Sequence, residues 1–196
     1  ILPLTKSFRC PRAIVAEAQR YVPDIEAFSE RQGEVIRGQI MEAVGQTILS
    51  RYNAPLVRIA LRCIRKRVPI TYLGRDFTGG LLALHKKAPT KEALGLWLTK
   101  EIEKNPRRKR KLEDRYAAML TLHESGERVE DAIRSLMFAA KSGPSVVLST
   151  IHKAKGLEWP KVAILAYDEM EQGGQEGNAA YVAVTRAQDT LILEEG

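Results

Sequence analysis

Thr150-Ile-His-Lys-Ala-Lys-Gly-Leu-Glu-Trp-Pro160 and Tyr181-Val-Ala-Val-Thr-Arg-Ala187 are the two stretches whose reading decides the fold. Each borders a short apolar run: Val146-Val-Leu148 precedes the first, Val162-Ala-Ile-Leu165 lies between them, and Leu191-Ile-Leu193 follows the second. Uninterrupted runs of this length suit strands covered on both faces, as in a parallel sheet flanked by helices. Ligands of such sheets bind at the carboxyl ends of the strands, where the loop beginning near Ser149 is expected. That position points to phosphate binding or phosphate chemistry.

These two segments resemble motifs V and VI of the UvrD/PcrA-type superfamily 1 DNA helicases. A third match stands near the start, where Leu4-Thr-Lys-Ser-Phe-Arg9-Cys-Pro-Arg-Ala-Ile-Val resembles motif IV, an arginine after an aromatic leading into a helix. Order and approximate spacing agree with that family's second RecA-like domain across nearly the whole chain. The expected fold class is therefore α/β, a RecA-like parallel sheet of the P-loop NTPase type flanked by helices, with a small all-helical insertion.

An ATPase of this type needs a Gly-x-x-x-x-Gly-Lys-Ser/Thr loop for the phosphates and an acidic strand end for magnesium. The nearest approach, Gly74-Arg-Asp-Phe-Thr-Gly79-Gly-Leu, has Gly80 and Leu81 where the lysine and hydroxyl are required. It is rejected as a phosphate loop. The resemblance then implies that an N-terminal RecA-like domain of the same polypeptide precedes Ile1, holds most of the ATP and its Mg2+, and is the partner of this domain. By itself the fragment is expected to be inactive.

The resemblance also assigns roles, and chemistry makes each intelligible. Arg9 and Arg186 are the catalytic candidates, because guanidinium forks reaching across a cleft stabilise charge on a transferring γ-phosphoryl group. Glu158 matches the glutamate that accepts a hydrogen bond from the nucleotide ribose. Gly156, lacking a Cβ, lets backbone approach the phosphates, and Lys155 completes the ATP-binding set. Thr150 and His152 match positions that touch the backbone of a tracking single strand, since hydroxyl and imidazole donate to phosphate without reading a base. Lys153 and Arg75, the latter in a looser match to motif IVa, complete the DNA-binding candidates. Tyr181 and Trp159 read as packing. The family travels 3′ to 5′ on single-stranded DNA toward a duplex junction.

The rest of the chain is read from its own pattern. At 196 residues it is long enough for one core plus an insertion. A net charge of +7 suggests a polyanionic partner. Cys10 and Cys63 have no spacing of a disulfide framework, and no apolar run reaches the roughly 20 residues of a membrane span, so a cytoplasmic location is expected. Helices are expected at Arg12–Tyr21, from Asn53 as cap through Ile64, and from Gly74 to Lys87; strands at Glu34–Arg37, Gln46–Ser50 and Pro69–Leu73. Residues 88–143 read as three helices, Lys91–Lys104, Lys111–His123 and Val129–Lys141, forming a reduced counterpart of the family's 2B insertion within a domain of 1–87 and 144–196. The run Arg107-Arg-Lys-Arg-Lys111 is the densest positive charge. His85, His123 and His152 are far apart in sequence, and no metal site is expected. Rival readings are a nucleic-acid-binding or regulatory module that kept the fold without the motor, and a DNA-repair interaction domain acting through the helical insertion.

Overall fold

The computed structural model describes residues 6–138, 143–170 and 174–194, with the side chains of 75, 76 and 174–176 excluded. Leu4 and Thr5 of the first motif, the final residues 139–141 of the last expected insertion helix, and the Arg75 side chain lie outside the described set.

The chain folds as a mixed α/β protein on a parallel six-stranded sheet flanked by helices, in the order β3-β8-β7-β4-β6-β5. The strands are β3 (Glu34–Arg37), β4 (Thr47–Ser50), β5 (Ile70–Leu73), β6 (Val146–Thr150), β7 (Trp159–Ile164) and β8 (Ala187–Leu193). Every residue of β4 is buried, as are the last three of β7 and of β8, and burial on both faces is why the β7 and β8 segments read as unbroken apolar runs. At the edge, β3 exposes Glu34, Ile36 and Arg37, and its charges discourage pairing with another chain. A separate pair, β1 (Lys6–Ser7) and β2 (Glu26–Ala27), runs parallel.

Contacts divide the chain into two units, 1–51 with 149–196, and 52–148. The core of the first gathers Ile14, Val15, Leu49, Ile164, Val184 and Leu191, contributed by α1 (Arg12–Ala18), α7 (Gly174–Val184) and the strands. A polar staple runs beside it. Glu17, almost buried, accepts from Tyr167 at 2.6 Å, Arg37 at 2.6 Å and Arg20 at 2.9 Å. Burial pushes its carboxyl upward, but these hydrogen bonds together outweigh burial and hold it below the usual range. The helix α1 ends at Ala18 rather than Tyr21; Tyr21 instead donates its hydroxyl to Tyr167 at 2.8 Å.

The second unit carries α2 (Asn53–Arg65), α3 (Arg75–Lys87), α4 (Lys91–Lys104), a 3₁₀ turn at Pro106–Arg108, α5 (Lys109–His123) and α6 (Val129–Phe138). The inner face of α2 buries Leu56, Val57, Ile59, Ala60, Leu61 and Cys63, each large aliphatic side chain contributing about 1.5–3 kcal/mol of transfer free energy. Asn53 is not its cap. Tyr52 holds that position and makes no side-chain cap bond; Asp114 of α5 accepts from the backbone amides of Asn53 at 2.7 Å and Ala54 at 3.1 Å. A carboxylate at a helix N-terminus satisfies orphan donors and opposes the dipole, so a residue far along the chain does what a local cap was expected to do.

Two histidines distant in sequence meet in the fold. His85 of α3 and His123 of α5 place their ring centroids 6.2 Å apart, edge to face. Among the described residues no group of three or more His, Cys, Asp or Glu is placed to hold a metal ion. Burial, then His85 and Lys91, hold His123 below its ordinary value, with Glu92 opposing.

Two outcomes are expected. Asp114→Ala lowers stability by about 1–2 kcal/mol in urea titrations, the usual cost of losing a helix cap. Because the folded state binds a proton at His123 less readily than the unfolded chain, the His123 contribution is complete above about pH 6.5 and declines as pH falls below it. Thermal midpoints between pH 7.5 and 5.5 should fall, and His123→Gln should flatten that dependence.

Candidate functional site

The site residues of the first unit form two clusters joined by α7. In the first, the segment Phe8-Arg9-Cys10 leaves β1 and enters α1, whose N-cap is Pro11. Gly33 permits this path: its φ is +66°, and a Cβ there would lie 2.3 Å from Pro11 Cγ. Arg9 pairs its Nε with Glu158 Oε2, and Gln188 donates to the other Glu158 oxygen at 2.8 Å. Arg186 stands close enough to sense both charges: burial lowers its pKa, Arg9 lowers it further, and Glu158 raises it.

Arg186 is only 8% exposed. Its Nε donates to Val182 O at 2.9 Å, its Nη1 to Leu157 O at 3.0 Å and its Nη2 to Thr185 Oγ1 at 3.1 Å. Its own carbonyl accepts from Trp159 N at 3.0 Å. One residue therefore fastens the loop after β6 to the end of α7. Cys10 lies beneath this cluster, with its thiol on Thr185 O at 3.6 Å; burial raises its pKa.

The second cluster surrounds a cavity of about 310 Å³ lined by Arg51, Ile151, His152, Lys155, Asn178 and Val182. The loop above it is fixed by Thr150 O, which accepts from Lys153 N and Ala154 N, both at 3.0 Å. Arg51 Nη1 lies 3.3 Å from His152 Nδ1. Lys155 thus shares a cavity wall with His152, while Glu158 lies with the arginines. Lys153 is exposed on the same turn. Gly156 has φ +88° with open space where a Cβ would project, so glycine is needed there for backbone conformation.

The structure therefore brings Arg9, Glu158 and Arg186 together in one cluster and His152 and Lys155 in another, with Thr150 and Lys153 on the turn that shapes the second. Arg75 begins α3 in the other unit. Sequence reasoning missed Arg51, although a basic residue directly after a buried strand is a detectable signal. It also passed over the exposed ring of Phe8, next to Arg9 in the chain. Phe8 is 69% exposed and lies 4.4 Å from Phe28, centroid to centroid. Trp159 and Tyr181 pack, half-buried, against the core.

These features define a parallel α/β domain whose loops at the strand ends present arginine, carboxylate and imidazole groups. Residues 145–193, the part of the chain that carries the last two motifs, match the UvrD-like helicase C-terminal domain. Over 53 residues, 26% of the chain, the sequence is 45% identical to the mitochondrial ATP-dependent DNA helicase HMI1 of Saccharomyces cerevisiae, and the match spans 7% of that relative. The C-terminal domain of a possible DNA helicase from Lactobacillus plantarum WCFS1 is a structural neighbour at 14% identity and TM-score 0.48, covering 96% of this chain and 86% of the neighbour. No helix among the described residues is long and apolar enough to cross a membrane.

Arg186→Ala removes three hydrogen bonds from a buried position. A loss of about 1–3 kcal/mol is expected in urea unfolding, with Arg186→Lys recovering only part because an ammonium lacks the planar fork.

Proposed function

We propose that this chain is the C-terminal motor domain of an ATP-dependent DNA helicase or translocase, contributing half of an ATP cleft and half of a single-strand track. The carrying observation is the meeting of Arg9, Glu158 and Arg186, which come from three separate segments and sum to one net positive charge. Such a cluster suits a polyphosphate supplied by a preceding RecA-like domain that also holds Mg2+. Arg9 turns toward the terminal phosphate when the nucleotide draws it from Glu158. Arg186 contributes its two remaining N–H groups and the positive field of a fixed guanidinium. Glu158, released from Arg9, accepts from the ribose, and the exposed Phe8 face offers a platform on which the base stacks.

Single-stranded DNA lies along the second cluster, where His152, Lys153, Lys155 and Arg51 meet phosphates and Thr150 shapes the turn. Val182 links the events: its carbonyl holds Arg186 while its residue lines the cavity beside His152. A displacement of Arg186 on hydrolysis therefore reaches the DNA-facing wall through one residue of α7. Residues 88–143 act as a reduced helical insertion in this reading, and the family's 3′-to-5′ polarity belongs to the same proposal.

The alternative is a nucleic-acid-binding module without motor activity. It draws support from the self-satisfied state of the first cluster, where Glu158 already neutralises Arg9 and Arg186 is tied to backbone. One assay separates them. In the longer polypeptide that includes the preceding domain, Arg9→Ala should lower DNA-stimulated ATP turnover by about 10²–10³-fold, with nucleotide affinity changed only several-fold. Near-normal turnover by the variant removes the assigned role, and absence of turnover in the parent protein favours the binding module.

A further inference from the structure

The chain's positive charge is unevenly placed. Residues 52–148 hold 20 of the 31 Lys and Arg and 10 of the 24 Asp and Glu, a net +10, leaving 11 against 14, a net −3, for the unit with the motif clusters. The groups assigned above to ATP and the single strand therefore lie, Arg75 aside, in the acidic unit. The cationic surface that would hold a polyanion from solution lies in the other.

Within that surface one place is shaped. Arg58, Arg62 and Arg65 follow one another along the exposed side of α2 and line a cavity of about 210 Å³ against Thr121, Glu124 and Ser125 at the end of α5. Seven residues of helix advance about 10 Å, close to three base steps of duplex at 3.4 Å each. The acidic neighbours already have partners: Glu124 lies 3.7 Å from Lys91 Nζ, and Glu127 lies 3.3 Å from Arg65 Nε. Arg65 is further held by the Ser125 carbonyl. Thr121 donates its hydroxyl to Ala117 O at 3.1 Å and Ser125 to Leu122 O at 2.8 Å, so neither hydroxyl offers a proton to the cavity, and the positive charge there comes from the arginines. Arg58 has no acidic partner among the described residues. Lys66 and Arg67, also exposed, extend the positive stripe past the end of the helix.

We infer that this groove is a second nucleic-acid contact, a sequence-independent seat for the phosphodiester backbone, separate from the His152 cluster and from the Arg107–Lys111 run. Arg58 and Arg62, one turn apart on one rigid helix with a walled side, suit forked contacts to phosphate oxygens, with Arg65 adding charge from its place on Glu127, whereas an array of solvated lysines contributes charge alone. The seat does not depend on ATP, so it stands or falls apart from the motor reading.

The test is fluorescence anisotropy of a labelled single strand and a labelled duplex of unrelated sequences, titrated with the 196-residue chain between 50 and 200 mM KCl. Arg58→Glu with Arg62→Glu should weaken binding at least ~10-fold. It should also flatten the slope of log K against log salt by about 1.4 on single strand or 1.8 on duplex, the value for two lost phosphate contacts. Whichever nucleic acid shows the change occupies the groove. Lys100→Glu with Lys104→Glu, an equal charge change on α4, should leave most of the affinity, and Arg58→Lys with Arg62→Lys should retain most of the slope. Circular dichroism checks that each variant is folded, and the milder pair Arg58→Gln with Arg62→Gln replaces the charge reversal if that variant unfolds. Unchanged affinity and slope in the groove variant, an equal loss in the α4 control, or no binding by the parent chain at 50 mM KCl overturns the inference. Loss confined to His152→Ala with Lys153→Ala also overturns it and leaves the single-strand track in place.

Discussion

The hydrogen-bonded guanidinium of Arg186 is the constraint on which the candidate site depends. Burying an arginine carries a desolvation cost, and only well-aligned acceptors offset it. Here two carbonyls and a hydroxyl take its donors, and its own carbonyl receives Trp159 N. Leu157 lies in the loop after β6 and Trp159 opens β7; Val182 lies in the last turn of α7 and Thr185 follows it. Two segments that would otherwise be independent surface loops become one rigid assembly. The Glu158 carboxylate is carried between Leu157 and Trp159, so its position follows from the same ties.

That rigidity has consequences for the second cluster. Ile151 N donates to Ser50 O at 2.9 Å, placing the start of the His152 turn beside Arg51. Asn178 and Val182 supply the opposite wall from α7. The wall and the arginine anchor are thus parts of one helix, and a single helix transmits displacement without a chain of separate contacts. Packing beneath it is dense in small residues, with Ala180, Ala183 and Ala187 fully buried, so there is little slack to absorb a shift.

Much of this was legible in the sequence, and the limits have a physical origin. Periodicity is local, and it located β3 at Glu34–Arg37, α4 at Lys91–Lys104 and the strands on either side of the motif loops. The motif loops singled out Arg9, Glu158 and Arg186, and the fold brings these three together. Partner choice does not travel in short segments. The cap of α2 comes from Asp114, the neighbour of His85 is His123, and Arg9 finds its carboxylate at Glu158. Each of these pairings is set by the meeting of elements distant along the chain. Lys155 illustrates the point within one loop: adjacent to Gly156 in sequence, it lies on the cavity wall with His152 because the turn after Thr150 directs successive side chains to different places.

Arg9 and Arg186, paired by motif logic, are physically unlike. Arg9 is 38% exposed at its side chain and rests on one carboxylate that is itself 40% exposed, a class of ion pair worth about 0–1 kcal/mol. An incoming anion can therefore compete for it at little cost to the fold. Arg186 is held in three directions, and displacing it leaves polar groups unsatisfied in a mostly buried setting. The first suits a group that moves to a ligand and returns. The second suits a group whose field is present before the ligand arrives, and whose dislodging would loosen both loops at once. An anion placed between them would meet one exposed guanidinium held by a single carboxylate and one buried guanidinium held by three acceptors.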